Sequence, residues 1–312
     1  MRILVFLQMS VDTRVAPERD AGTGRVLDEW QVAQVNPADA RALDCALEIK
    51  AGSPGTEIAL VHLGPAEAEP WLREALARGV DRAVRIWDGQ AAEACAQGTA
   101  VILAAAAASL GFDLALTGTA GATHAGGQTG VLLAGHLDVP CVTQALAIDS
   151  PPGPAIAAPS GPSSRPGIVG VTRGLARGFQ EHVEVFLPAV VTVAAGESVA
   201  HGAAMDELLR AQERHMPVWD LAELGVPWES VRKADEPLAS GRLRSPQPGL
   251  RHLPAPESSL PAFERIEQLV RGAVRRREGT VARGSAEEVT EAVFQALLRG
   301  GWLDHLRPPA GL

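Results

Sequence analysis

Residues 112–140 read FDLALTGTAGATHAGGQTGVLLAGHLDVP. The apolar run Leu114-Ala115-Leu116 has a strand's length and ends at Gly118. A glycine-rich loop follows, with Gly121, Gly126 and Gly127, and a small-residue segment of helical potential opens at Gln128-Thr129-Gly130 and carries Val131, Leu132, Leu133 and Leu137. Strand, glycine loop and helix start together present free backbone N–H groups and the positive end of a helix dipole to an anion. The glycines let the backbone approach a phosphate, and Thr129 offers a hydroxyl. Taken alone, these residues leave two readings open: a nucleotide or phosphate loop, and a plain turn between strand and helix. Two better-known phosphate loops are excluded. Gln128 and Thr129 stand where a P-loop needs its lysine, and no glycine pair starts the G-x-G-x-x-G spacing directly after the strand.

The sequence on the N-terminal side alternates strand and helix. Strands are predicted at 2–7 (RILVFL), 57–63 (EIALVHL), 83–87 and 113–117. Between them, Asn36-Pro37 starts a helix with Asn as N-cap, Pro at the first helical position and Asp39 in the first turn. Ala42, Leu43, Ala46, Leu47 and Ile49 give that helix its apolar face. A helix through Trp71, Leu72, Ala75 and Leu76 leads to Gly79, and a long alanine-rich helix covers 91–110. This alternation predicts a parallel sheet covered by helices, with ligands beyond the carboxyl ends of the strands. The segments after Leu7, Leu63 and Gly118 converge on that edge, which favours the nucleotide reading.

From 141 the pattern changes. Runs at 142–148, 167–172 and 180–187 suggest antiparallel additions, 189–194 (AVVTVA) a further strand, and the Pro- and Ser-rich piece 150–166 a loop. Residues 196–260 hold one short helix, 205–211, in proline-punctuated extended sequence of the kind that wraps a partner or another part of the protein. Two amphipathic helices, 262–277 and 286–299, finish the chain, the second with a capping box of Ser285 and Glu288. The predicted fold is α/β: a parallel-sheet, Rossmann-like nucleotide-binding domain with antiparallel additions over 1–195, an extended arm over 196–260 and a C-terminal helical segment over 261–312.

Composition narrows the function. At 312 residues the chain is 46% hydrophobic, yet its longest apolar run, Val101–Leu110, is short and alanine-rich, which suits a buried helix and not a membrane span. With no signal-like N-terminus, a cytoplasmic location and no membrane insertion are expected. The net charge of −9 argues against nucleic acid as main partner. Arg271, Arg275, Arg276, Arg277 and Arg283 cluster late and read as a solvated helix face. Cys45, Cys95 and Cys141 are odd in number and read as structural thiols, and the eight histidines form no paired-ligand spacing, so no metal is expected. With no tyrosine and six phenylalanines, aromatic stacking on a base or flavin has few residues to draw on. No Ser-His-Asp or Cys-His arrangement is suggested. His62, at the end of a strand on the ligand edge, reads first as a hydrogen-bonded structural histidine; His124, inside the glycine loop, suits a phosphate contact or plain exposure equally.

Several separated segments resemble one family, the β subunit of electron-transfer flavoprotein. They are ILVFLQMSVDT (3–13), VNPADARALDCALEIK (35–50), VHLGPAEAEPWLREALARGVDRAVRI (61–86), GGQTGVLLAGHLDVP (126–140), LPAVVTV (187–193) and VWDLAELGV (218–226). Their order and spacing agree over roughly residues 1–230, and the tail from 278 has the family's look.

The resemblance implies a heterodimer with an α subunit that holds most of the FAD, and a structural AMP in this chain with its phosphate at the Gln-Thr-Gly loop. It implies an electron carrier and not an enzyme, passing electrons from flavin dehydrogenases to a quinone-linked oxidoreductase. Carried over by position, Asn36, Gly126, Gly127, Gln128, Thr129 and Gly130 match the nucleotide pocket, with His124 in the same loop and Phe6 and Leu63 on its wall. A loop near 196–211 would recognise partners, with Met205 where the family presents an exposed leucine. The Gln-Thr-Gly form looks more like the AMP-carrying branch than the bifurcating branch, in which a second FAD takes this place. A nucleotide-binding module or sensor without redox function is the alternative from another class. The chain departs from the family at Gln8, Thr13, Ala38, Thr119, Ala120, Thr123 and His124, and at Ser198-Val199-Ala200-His201-Gly202, positions that bear on partner identity first. A bulky residue at Gly130 is expected to release the nucleotide while the sheet still folds.

Overall fold

A computed structural model describes residues 1–15, 18, 20, 32–91, 94–122, 126–149, 167–196, 202–236, 258–271 and 281–300. The chain forms two compact units, Met1–Ser245 and Pro246–Leu312. The predicted loop 150–166, His124, Arg275, Arg276, Arg277 and the Ser198–His201 stretch lie outside the described residues.

In the first unit the alternation runs as predicted. Strand β1 (Arg2–Phe6) is followed by a short antiparallel ribbon of β2 (Met9–Val11) and β3 (Ala33–Val35), then helix α1 (Pro37–Gly52). Next come β4 (Glu57–Leu63), α2 (Glu69–Ala77), β5 (Arg82–Ile86), α3 (Ala96–Leu110), β6 (Leu114–Gly118) and α4 (Thr129–Leu137). Strands β7 (Cys141–Ile148), β8 (Ile168–Gly174), β9 (Gln180–Phe186) and β10 (Ala189–Val193) complete the strand-rich part. Successive residues of β1 point to opposite faces, as a strand's period of two requires. Ile3 and Val5 pack with α1 and α2, while Leu4 and Phe6 pack with α3 and α4.

The strand order β5-β4-β1-β6-β10-β7-β8-β9 corrects one expectation. Strand β7 is not an antiparallel addition: it pairs in parallel with β10, and the antiparallel pairs are β7–β8 and β8–β9. The crossover from β6 through α4 to β7 skips one strand position, and β10 fills it, parallel to both neighbours. Its sequence AVVTV is buried at all five residues, the composition of a strand covered on both faces and not of an edge.

The described part of 196–260 is more regular than an extended arm. Helix α5 (Met205–Glu213) lies on α2, β11 (Val218–Trp219) adds to the sheet beside β5, and α6 (Trp228–Asp235) lies on α3. Ala211, Leu221, Val226 and Val231 are buried and supply the apolar attachment. Arg73 of α2 donates from Nη1 to the carbonyls of Ala211 and Gln212 at 2.9 and 2.8 Å, closing the C-terminal turn of α5. In return Arg214 donates from Nη1 to the Val80 carbonyl at 3.0 Å.

In the second unit the described helices are α7 (Ala262–Arg271) and α8 (Ala286–Arg299). The predicted capping box is present: Ser285 Oγ accepts from Glu288 N at 3.3 Å, and Ser285 N donates to Glu288 Oε2 at 2.9 Å.

Candidate functional site

The chain runs outward from β1 to β4 and β5 on one side and resumes with β6 on the other. The carboxyl ends of β1 and β6 therefore border the switch point of the sheet, where open α/β sheets form their ligand crevice. The crevice here is lined by Phe6, Asn36, Asp39, Thr117, Gly127 and Thr129 among others. It is narrow, about 30 Å³.

Asp39 organises this edge, though the sequence gives it only the role of an acid in a first helical turn. Its side chain is buried beneath the three segments it joins. Oδ1 accepts from Gly118 N at 2.5 Å, and Oδ2 accepts from Gln8 N at 3.0 Å and Asn36 Nδ2 at 3.1 Å. Gly118 has no room for a side chain, since a Cβ there would lie 2.6 Å from Asp39 Oδ1 and 2.7 Å from Ala38 Cβ. Burial pushes the Asp39 carboxyl up to about 6, against the pull of these three donors.

Asn36 stands at the N-cap position, as predicted, but its side chain makes no cap bond. Its amide is drawn into the site instead: Nδ2 donates to Ala120 O at 3.1 Å, and Oδ1 accepts from Ala122 N at 3.0 Å. The pair Asn36–Asp39 thus holds the first residues of the glycine loop against the start of α1.

Helix α4 opens over the same edge. Its first described intrahelical bond runs from Leu132 N to Gln128 O at 2.9 Å, so the amides of Thr129, Gly130 and Val131 precede the ladder and point out of the helix's positive end. Gly127 adopts φ +58°, and a Cβ there would lie 2.6 Å from the Thr119 carbonyl, so the loop turns here with backbone against backbone. Gly126 and Gln128 are exposed beside the crevice.

Gly130 has a packing role. It is buried, and a Cβ there would lie 2.5 Å from both Thr117 Oγ1 and Thr192 Cγ2. The glycine lets α4 sit down on β6 and β10. A bulky residue therefore disturbs helix–sheet packing, not merely the approach of a ligand.

Next to the crevice, and sharing Gln8 with it, is a cavity of about 500 Å³. Leu63 lies on its wall, with Met9, His62, Pro65, Trp71 and Trp87. Two of the chain's six tryptophans thus face one cavity. Sequence reasoning, counting aromatics over the whole chain, missed that concentration; the place of Trp71 beside the Gly-Pro turn and of Trp87 at the end of a strand was the available signal.

His62 is buried, and its Nδ1 meets the Leu7 carbonyl at 2.7 Å. A carbonyl only accepts, so Nδ1 carries the proton and Nε2 keeps a lone pair. Nε2 has no hydrogen-bond partner among the described residues and packs against the α-carbon of Gly64. Burial holds His62 below the ordinary histidine range, with the Leu7 bond opposing and the Arg85 charge adding to the shift. The predicted structural histidine is present, with one nitrogen unpaired.

The structure therefore brings Phe6, Asn36, Gly127 and Thr129 together at the crevice and puts Leu63 in the adjoining cavity. Met205 is elsewhere, 71% exposed at the start of α5. Among the described residues no group of metal-ligating side chains is found, and no helix is long and apolar enough to cross a membrane.

Comparison with known proteins gives the family. The electron transfer flavoprotein domain matches residues 24–223. The caffeyl-CoA reductase–Etf complex subunit CarD of Acetobacterium woodii is 30% identical over 247 residues, covering 79% of this chain and 88% of the relative. The electron transfer flavoprotein subunit beta of Methylophilus methylotrophus is 26% identical, covering 80% and 90%. The FixA protein of Sinorhizobium fredii is also 26% identical, covering 80% and 84%. On the extent of these matches and the order of its motifs, the chain belongs to the electron transfer flavoprotein β-subunit family.

Proposed function

We propose that this chain is the β subunit of a heterodimeric electron transfer flavoprotein that binds AMP with its phosphate toward the Gln-Thr-Gly loop and its base in the cavity walled by Trp71 and Trp87. The observation that carries the nucleotide reading is that the crevice at the start of α4, lined by Thr129, adjoins through Gln8 a cavity of about 500 Å³. That volume is within the range of small-molecule sites, and the crevice itself is too narrow for more than the edge of a ligand. The residues fit the group: N–H donors for an anion, Asn36 near the loop, and apolar aromatic walls for a base.

FAD, held mostly by the α subunit, supplies the electron-carrying chemistry when bound. This chain's residues bind and orient. Met205 and Leu209, 71% and 63% exposed one helical turn apart on α5, form an apolar contact for a partner dehydrogenase beside the acids Asp206 and Glu207. Electrons then pass from flavin dehydrogenases to a quinone-linked oxidoreductase, in the cytoplasm.

Co-expression with the α subunit, followed by denaturation and chromatography of the released nucleotides, tests this reading. One FAD and one AMP per heterodimer is the expected result. Two FAD would assign the chain to the bifurcating branch, with a second FAD in place of AMP. AMP alone, with no stable complex, would make it a nucleotide-binding module or sensor without redox function.

A further inference from the structure

We propose that Asp39 is the positioning residue of this site: its carboxylate gathers the ends of β1 and β6 around the start of α1 and so sets the geometry in which the nucleotide phosphate is received. The role of Asp39 in holding the crevice stands on the contacts below; its role toward a phosphate rests on the nucleotide reading above.

Three donors from three segments converge on one side chain: Gly118 N from the end of β6 at 2.5 Å, Gln8 N from beyond β1 at 3.0 Å, and Asn36 Nδ2 from the start of α1 at 3.1 Å. Asn36 extends the reach of the carboxylate into the glycine loop through Ala120 O and Ala122 N, at 3.1 and 3.0 Å. One carboxylate is thus linked, directly or through one amide, to the ends of β1 and β6, the start of α1 and the first residues of the glycine loop. An acceptor-only group is required at the centre, because every neighbour presents an N–H. An asparagine at position 39 has nearly the same shape but turns an NH₂ toward one of these donors. The absence of space at Gly118 keeps β6 close enough for its bond.

The groups packed against the carboxylate, Gln8 beyond β1, Asn36 at the start of α1 and Thr117 and Gly118 of β6, are uncharged. Among the described residues lining the crevice Asp39 is the one that carries a charge.

The test compares the full-length wild-type chain with Asp39→Asn, using AMP as probe. Hydrogen exchange at the amides of Gln8 and Gly118, measured without ligand, is expected to speed up about tenfold in the variant, and AMP is expected to bind about tenfold more weakly at neutral pH. Loss of protection should be confined to these segments. Wild-type exchange at both amides in a folded variant overturns the role of Asp39, whatever AMP does. Failure of the wild-type chain to bind AMP overturns instead the nucleotide reading, and the exchange result still decides whether Asp39 holds the crevice together. If Asp39→Asn does not fold, wild-type protein suffices. The carboxyl ¹³C signal of Asp39 and the amide ¹⁵N signals of Gln8 and Gly118 should titrate with one shared midpoint, and separate midpoints overturn the proposal.

Discussion

Asp235 caps a helix far from it in sequence: its Oδ1 accepts at 2.8 Å from the N–H of Gly98, 137 residues earlier in the first turn of α3. Oδ2 accepts from Cys95 N at 2.7 Å. The N-cap residue of α3 is Cys95, which offers no side-chain cap of its own, so a carboxylate from α6 takes the place of the usual local Ser, Thr or Asp. A side chain at Gly98 would collide with Asp235 Oδ2 and Val231 Cγ1. The glycine and the distant acid are one device, and it fastens α6 to the sheet domain.

Asp235→Ala should remove this cap at a cost of about 1–2 kcal/mol, and Gly98→Ala should have a comparable effect by expelling the carboxylate. Urea unfolding of each variant checks the magnitude. Limited proteolysis checks the location: cleavage should become faster around α6 while the segments around β1 and α1 keep their resistance.

Gly130→Val should destabilise the fold itself, by about 1–3 kcal/mol of overpacking, because its side chain would be driven into Thr117 and Thr192. Thermal melts of the ligand-free protein decide this. A lowered Tm without nucleotide supports the packing role, and an unchanged Tm with lost AMP would assign Gly130 to the ligand alone.

The pH dependence of Asp39 has a definite sign. Its carboxyl is raised from 3.8 to about 6 in the folded chain, so between those values the folded state binds the extra proton and stability attributable to this residue falls as pH rises. The cost is fully present above about pH 7 and is relieved as pH drops through 6. A shift of about 2 units corresponds to about 3 kcal/mol. Unfolding free energies of wild type and Asp39→Asn, measured from pH 4 to 7.5, should show their difference changing by that order and levelling off above neutrality.

Met205→Glu should lower kcat/KM about tenfold for a flavin dehydrogenase that reduces the complex, since it places a charge at an exposed apolar contact. Nucleotide content should be unchanged, because Met205 lies on α5 and not at the crevice. Reduction kinetics together with nucleotide analysis separate the two effects.

Much of the fold was legible because period and punctuation agree. The run Arg2–Phe6, the Asn36-Pro37 start and the Gly118 loop each carry a local signal that the tertiary structure keeps. The partner of β7 was not legible: an eight-residue strand looks the same in sequence whether its neighbour is parallel or antiparallel, and only the slot left between β6 and β7 assigns it to β10. The site was legible where glycines and Thr129 mark it. It was hidden at Asp39 and Asn36, whose ordinary helix-start chemistry was redirected by contacts with Gly118, Ala120 and Ala122 more than eighty positions away in most cases. It was hidden again at Trp71 and Trp87, which lie on α2 and just past β5 and come to line one cavity only in the folded chain.

The late arrival of β10 at the middle of the sheet has a consequence for synthesis. Strands β6 and β7 leave the ribosome well before residues 189–193, yet neither can acquire its shared neighbour until those residues emerge. During that interval two parallel edges stand open, the condition that invites pairing with another chain. A truncated chain ending before Ala189 should therefore associate more readily than one extended through Val193: the strand that fills the gap between β6 and β7 also ends the exposure of those two edges.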